Sequence, residues 1–456
     1  MKKPLLGFCL ALSLTVLPSH AESMRQAVQR TLDENPEIQE ARSVRLAYEQ
    51  EIDQAKANYL PKIDVSAGYG LERANTPFTR GFGGTNQRGG VNQFGRTESS
   101  VQFRQMIFDG FETPHEVDRF TFKTDAQAYR VFGRSEIIGL QAAQTYIEML
   151  RNRDLLDLAQ ENLDTHRSIF SQIRLRTERG VGRRSDLDQA TGRLANAESN
   201  FLAQQGNLQD AETGYYRVIG VLPKTLEEAP SPSKENGDIP SNLDDAIELA
   251  LANHPTLKEA ESDIKESKAQ HETASAPFYP RVDFEVSYDN NDDTGGIRGV
   301  NEDLTAMVRV RYNLFNGGRD IARRRQTAHE IAQAKNIRDN TYRQVMESVR
   351  LAWVAYQTLN NQMAFFESHR TSSIKTLEAY KRQFNIGQRT LLDLLDTTNE
   401  VYMASIAYTD AMYNELAARY RILAGMGKLN RFLGTDLPEE IKPITEEQQA
   451  DARFFN

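Results

Sequence analysis

Leu304-Thr305-Ala306-Met307-Val308-Arg309-Val310-Arg311-Tyr312-Asn313-Leu314 places apolar and more polar side chains on alternate positions throughout. Successive strand side chains point to opposite faces. Leu304, Ala306, Val308, Val310, Tyr312 and Leu314 therefore share one face, and Thr305, Met307, Arg309, Arg311 and Asn313 the other. Val282-Asp283-Phe284-Glu285-Val286-Ser287-Tyr288, just upstream, alternates in the same way. The pattern fits a hairpin with its polar face in water. It also fits a membrane strand, apolar towards lipid and polar towards a lumen, at roughly 9–11 residues per crossing. The strand length, with the export signal described next, favours the membrane reading.

The 456 residues include 55 Lys and Arg against 64 Asp and Glu, a formal charge of −9. With 39% hydrophobic residues and a mean hydropathy of −0.60, the chain is not a polytopic helical membrane protein, because each helical span needs roughly 20 mostly apolar residues. The acidic balance argues against a general nucleic-acid binder, which needs a basic face for phosphates. Lys2 and Lys3 precede an apolar run at 5–17, and small Ser19 and Ala21 follow. This is the pattern of an export signal over residues 1–21, with cleavage after Ala21. The single cysteine, Cys9, lies inside that run, so the mature chain is expected to have no disulfide and no thiolate metal site.

The sequence is duplicated. Ala27-Val28 and Asn35-Pro36 recur as Ala246-Ile247 and His254-Pro255, and Tyr59-Leu60-Pro61 recurs at the same offset as Phe278-Tyr279-Pro280. Phe108-Asp109-Gly110 matches Phe315-Asn316-Gly317, and Gly182, Arg184, Ser185, Leu187 and Asp188 match Gly387, Arg389, Thr390, Leu392 and Asp393. The first copy carries extra residues in the Gly-rich stretch 72–98. The first repeat spans 22–220, with strands about 62–72 and 99–108 and helices 27–58, 113–178 and 186–220. A Pro-rich linker follows at 221–242. The second repeat spans 243–427, with strands about 281–289 and 303–315 and helices 243–276, 318–384 and 391–425. Residues 428–456 read as an acidic C-terminal tail, loosely ordered after Asp436.

Neither long helix contains proline after its first turn. About 66 residues make a rod near 100 Å. Val345, Val349, Ala352, Tyr356, Leu359, Met363 and Phe366 step by four and three, a coiled-coil seam. In each half the two shorter helices together match the long one, so they can stack end to end beside it. Four strands cannot close a barrel, since the smallest have about eight, and open edges in lipid leave backbone unpaired. Protomers must pool their strands. Spacing alone allows two, three or four of them.

The ordered motifs from Asn35-Pro36-Glu37-Ile38 through Tyr312-Asn313-Leu314-Phe315-Asn316-Gly317-Gly318 to Ile386-Gly387-Gln388-Arg389-Thr390 and Asp393 to Asp396 resemble the TolC-type outer-membrane exit ducts of Gram-negative bacteria. The resemblance spans about 24–427. Within the family, residues 312–318 followed by Arg319-Asp320 look most like the type I secretion branch, the LapE/AggA-like adhesin exporters. It implies an α+β membrane protein: a homotrimeric twelve-stranded β-barrel, four strands per protomer, continued by a helical coiled-coil barrel through the periplasm. The implied partners are a periplasmic adaptor (membrane fusion protein), an inner-membrane ABC transporter, exported protein cargo and outer-membrane lipid. No cofactor and no nucleic acid are implied.

Two glycine turns interrupt the helical pattern, at Arg179-Gly180-Val181-Gly182-Arg183-Arg184-Ser185 and Asn385-Ile386-Gly387-Gln388-Arg389-Thr390. Ser185 and Thr390 are expected to cap the helices that follow. The resemblance implies that adaptor tips dock on these turns, at Gly180, Gly182, Arg184, Ser185, Gly387, Arg389 and Thr390. It also implies that Asp393 and Asp396, three apart on one helix, line a constricted entrance, where repeated carboxylates favour cations. Arg389 and Asp188 are the expected gate latch. Phe384 stands where some relatives have tyrosine, so a latch using that hydroxyl is absent.

Enzyme chemistry finds no support. His271-Glu272 and His329-Glu330 do not extend to HExxH, Gly81 and Gly83 lack a third dinucleotide-binding glycine, and Gly427-Lys428 lacks the rest of a P-loop. Residues 289–300 have Thr294 and Val300 where a calcium loop needs Gly and Glu. Arg323-Arg324-Arg325 reads as a solvated helix face near the membrane rim.

Overall fold

The computed structural model describes residues 21–76, 79 and 92–444. The expected export signal, apart from Ala21, lies outside them, as do most of the Gly-rich stretch and residues 445–456. In chain order the elements are α1 (Met24–Glu34), α2 (Pro36–Lys56), β1 (Lys62–Ala74), β2 (Asn92–Phe108), α3 (Glu112–Glu178), α4 (Arg184–Ile219), α5 (Leu243–Asn253), α6 (Pro255–Thr273), β3 (Arg281–Asp292), β4 (Val300–Arg311), α7 (Arg319–Asn385), α8 (Leu391–Gly425) and α9 (Leu429–Leu433).

The continuous helices expected at 27–58 and 243–276 are each broken in two. Proline disfavours helical backbone in the residue before it. Asn35 and His254 are accordingly extended, and each accepts a hydrogen bond from the amide two residues on, Glu37 at 2.9 Å and Thr256 at 3.3 Å. Pro36 and Pro255 then open the next helix at the position where a missing N–H costs least. The same device therefore bends both copies at matching points.

The strands form one antiparallel sheet in the order β1-β2-β3-β4, so the two copies join through β2 and β3. Register puts Val65 beside Val101, Val101 beside Tyr288 and Tyr288 beside Leu304. The adjacent row runs Asp64, Gln102, Ser287, Thr305 on the opposite face. The first hairpin is longer than its pattern suggested, with β2 beginning at Asn92. The last strand ends at Arg311 instead of 315. There Asn313 Oδ1 accepts from Phe315 N at 3.1 Å and turns the chain out of the ladder. Tyr69 is 82% and Leu304 74% exposed, and β1 and β4 are unpaired edges within the protomer. A sheet with one bare apolar face and two open edges is one part of a larger closed wall.

The chain passes from β2 into α3 through Gly110, whose φ is +74°. A Cβ there would lie 2.6 Å from the Ala276 carbonyl oxygen, which explains the glycine of this repeated motif. Asp109 Oδ2 accepts from Thr113 N at 2.9 Å and caps the new helix. α3 and α7 have 67 residues each, about 100 Å of helix. α2 and α4 pack along α3, and α6 and α8 along α7. Val345, Val349, Ala352 and Tyr356 of the heptad seam are buried.

Halfway along the rods the linker crosses the bundle. Glu22 N donates to the Thr225 carbonyl at 2.8 Å, and Glu227 N donates to the Glu22 carbonyl at 3.0 Å. Tyr146 Oη lies 2.7 Å from the carbonyl oxygens of both Glu22 and Glu227, and Tyr420 Oη donates to the Pro230 carbonyl at 2.7 Å. The C-terminal tail, expected to be loose after Asp436, is docked as far as 444, where Ile444 N donates to Asp125 Oδ1 at 2.7 Å. Leu429 and Asn430 are fully buried, and their amides donate to the Glu136 carboxylate at 3.0 and 3.2 Å. Leu429 and Leu433 are the apolar payload that the acidic composition concealed. No helix among the described residues is long and apolar enough to cross a membrane.

Candidate functional site

At the end of the rods opposite the sheet, two turns close the helical hairpins. In the α3–α4 turn, Gly180 takes φ +78°, and the amides of Val181 and Gly182 both donate to the Arg176 carbonyl at 3.0 Å. In the α7–α8 turn the left-handed residue is Gly387, at φ +75°, and Gln388 N donates to the Gln383 carbonyl at 2.9 Å. The copies thus close the same connection with glycines at non-equivalent places. Both leave an apolar side chain at the tip, Val181 78% and Ile386 69% exposed. These matched tip residues escaped attention in the sequence, although they sit at equivalent positions of the two copies.

The two expected caps diverge. Thr390 caps α8: its Oγ1 accepts from Asp393 N, and Asp393 Oδ2 accepts in return from Thr390 N, each at 3.2 Å. Ser185 does not cap α4, which begins one residue earlier at Arg184 with Arg183 as its uncapped N-terminal flank. Ser185 is thereby inside the first turn, and it and Arg184 are exposed.

Asp393 is held below the usual carboxylate range, chiefly by the hydrogen bond from the Thr390 hydroxyl. Asp396, one turn on and exposed, pairs with Arg193 of α4, Nη2 to Oδ1, at 2.7 Å. The two carboxylates are therefore neighbours on α8, one engaged by its own helix cap and one by a cation from the other copy. Burial, and after it the Arg193 charge, push the His166 imidazole down from its ordinary value.

The structure does not bring Arg389 and Asp188 together within the protomer. Arg389 Nε donates to Gln383 Oε1 at 2.9 Å, its Nη1 lies 3.9 Å from Asp393 Oδ2, and its guanidinium covers the Tyr380 ring at 4.2 Å. Arg389 sits on the turn and folds back over α7, whereas Asp188 is exposed on α4. The hairpins are joined instead by Arg193–Asp396 near the turns and, further along, by Arg151 of α3 with Asp410 of α8 at 3.1 Å. Phe384 is buried with Ile169, Ile173, Leu391, Leu394 and Leu395, and Arg176 lies over its ring at 4.8 Å. Apolar packing and a cation–π contact hold the place of a hydroxyl link. Among the described residues no group of His, Cys, Asp and Glu is arranged to hold a metal ion.

This layout, a sheet with a lipid-suited face, two rods and a polar turn end, agrees with what known proteins display. The sequence profile described as outer membrane efflux protein matches residues 27–221 and 246–428, one segment in each copy. The outer membrane efflux protein BepC of Brucella suis is 25% identical over 434 residues, covering 94% of this chain and 91% of its own. The alkaline protease secretion protein AprF of Pseudomonas aeruginosa is 22% identical, covering 87% and 82%. The fold superposes on the CmeC outer membrane channel of Campylobacter jejuni with a TM-score of 0.76 at 14% identity, covering 98% of both chains. The chain belongs to the outer membrane efflux protein family: it is a TolC-type outer-membrane channel, not an enzyme, with the trimeric barrel-and-tunnel fold and its helical part in the periplasm.

Proposed function

We propose that this channel is the passive exit duct of a type I protein secretion system. An inner-membrane ABC transporter drives the cargo, a large repeat adhesin or similar protein, and a periplasmic adaptor opens the duct. Likeness to AprF, named for protease secretion, over most of both chains carries this reading, and the run 312–320 supports it. The second reading, small-molecule efflux through the same fold, is favoured by likeness to BepC, named an efflux protein.

In either case the turns with exposed Val181 and Ile386 are the adaptor-docking surface, together with Gly180, Gly182, Arg184, Ser185, Gly387, Arg389 and Thr390. Asp393 and Asp396 line the entrance constriction. Arg193–Asp396 fastens the hairpins of one protomer, and Arg389 and Asp188 face one another only between neighbouring protomers, as the gate latch. Exposed ion pairs contribute about 0–1 kcal/mol each, so adaptor contact can release them.

The deciding experiment is mass spectrometry of surface and culture-medium proteins from the intact strain and a clean deletion. Loss of one very large exported protein is the expected result. An unchanged protein profile, with raised sensitivity to drugs and bile salts, would establish efflux instead.

A further inference from the structure

The polar face of the sheet is charged unevenly along its length. At the helix side, Arg104 of β2, Arg281 of β3 and Arg309 and Arg311 of β4 meet three carboxylates, Asp283, Glu285 and Glu112. Arg311 lies 2.6 Å from Asp283 and also reaches Glu285, Arg309 lies 2.7 Å from Glu285, and Arg104 and Arg281 approach Glu285 and Asp283 at 3.4 Å. Arg281 also lies 4.0 Å from Glu112. Register places Lys62 beside Arg104, with Asp64 one row further along the same face.

Two of the carboxylates lie beneath the cations. The Asp283 side chain is 1% and that of Glu285 17% exposed, against 44–53% for the four arginines. Four guanidinium groups carry about twenty N–H donors, and the three carboxylates offer about twelve acceptor sites. The surplus donors lie on the half-exposed guanidinium groups of this polar face. At the far end the balance reverses, with Glu72, Glu98, Asp289 and Asp303 against Arg96.

We infer that Arg104, Arg281, Arg309 and Arg311, repeated in each protomer, form a guanidinium collar at the base of the barrel that binds carboxylate-rich stretches of an extended polypeptide in transit. Planar guanidinium forks pair with carboxylates in two-point contacts, and an extended chain presents such side chains to a surrounding ring. The acidic mouth beyond repels the same segments, so the collar and not the mouth is where they dwell. The occupant rests on the protein-secretion reading; the charge arrangement does not.

The test uses the purified trimer in planar bilayers, with a ten-residue polyglutamate peptide added to the chamber facing the barrel mouth. Polyglutamate is expected to block the wild-type current and to block an Arg104→Gln/Arg309→Gln variant about tenfold more weakly, while polylysine acts alike on both. If the double variant fails to assemble, Arg104→Gln alone, which leaves the Arg311 pairs intact, is expected to weaken block about threefold. Equal polyglutamate block in wild type and variants overturns the inference. So does block by inorganic pyrophosphate with the same arginine dependence and strength, which would mark a general anion site. Because this current does not depend on what the cell exports, failure here leaves the deletion experiment to judge the duct itself.

Discussion

Glu136 shows how one buried side chain ties the C-terminal segment to the rods. Burial pushes its pKa up to about 7 from 4.5, against the opposing hydrogen bonds from the Asn430 and Leu429 amides. Between those values the folded chain holds a proton that the unfolded chain has released. The stabilising contribution is therefore complete below about pH 4.5 and lost as pH rises through 7, on the order of 3 kcal/mol per protomer. Trp353, the only tryptophan, is buried in the same core cluster, so its fluorescence reports melting there. The melting temperature should fall from pH 5 to pH 8, and Glu136→Gln should shrink that difference; an unchanged difference rejects the assignment. Asp393 and Asp396 make the second case. Asp393→Asn with Asp396→Asn should weaken block by multivalent cations about tenfold, whereas Arg193→Ala, by freeing Asp396, should strengthen it. Persistent block in the double variant would put the cation site elsewhere.

The turns carry the element-scale prediction. The exposed valine and isoleucine at the tips of two hairpins are the apolar area these turns offer to a partner. Val181→Asp with Ile386→Asp should leave the trimer intact and weaken adaptor binding about tenfold or more, as read by co-purification with the adaptor; retained binding would move the docking surface off the tips. These elements also mark the limits of sequence reading. Repeat spacing located both turns, because glycine, a small polar residue and a following apolar run recur in register. It misplaced the first cap, since the left-handed residue is Gly180 in one copy and Gly387, the match of Gly182, in the other, and α4 starts two residues earlier than the matching α8, which moves Ser185 from cap to helix. Helical periodicity continues on both sides of Pro36 and Pro255, so it carried the helices through prolines that in fact end them. The Arg193–Asp396 pair was illegible because it joins helices far apart in sequence, and no local pattern encodes such a pair.

For the whole molecule the sheet is decisive. Its two faces could be read residue by residue, since alternation by two assigns every side chain once one is placed. That one face meets lipid follows from the exposed apolar row and the unpaired edges, which a protomer alone leaves in place. Adjacent residues of β4 provide a matched test. Leu304 lies on the apolar face and Thr305 on the polar face. An arginine facing lipid near mid-membrane costs about 2–4 kcal/mol, while the same residue facing a water-filled lumen costs little. Three protomers triple the penalty, because every copy inserts the same strand into one barrel. Leu304→Arg should therefore sharply reduce the heat-modifiable trimer recovered from outer membranes, and Thr305→Arg should leave its amount near wild type. Equal loss in both variants would mean that neither face opens on water; loss confined to Thr305→Arg would turn the sheet inside out and place the arginine collar against lipid.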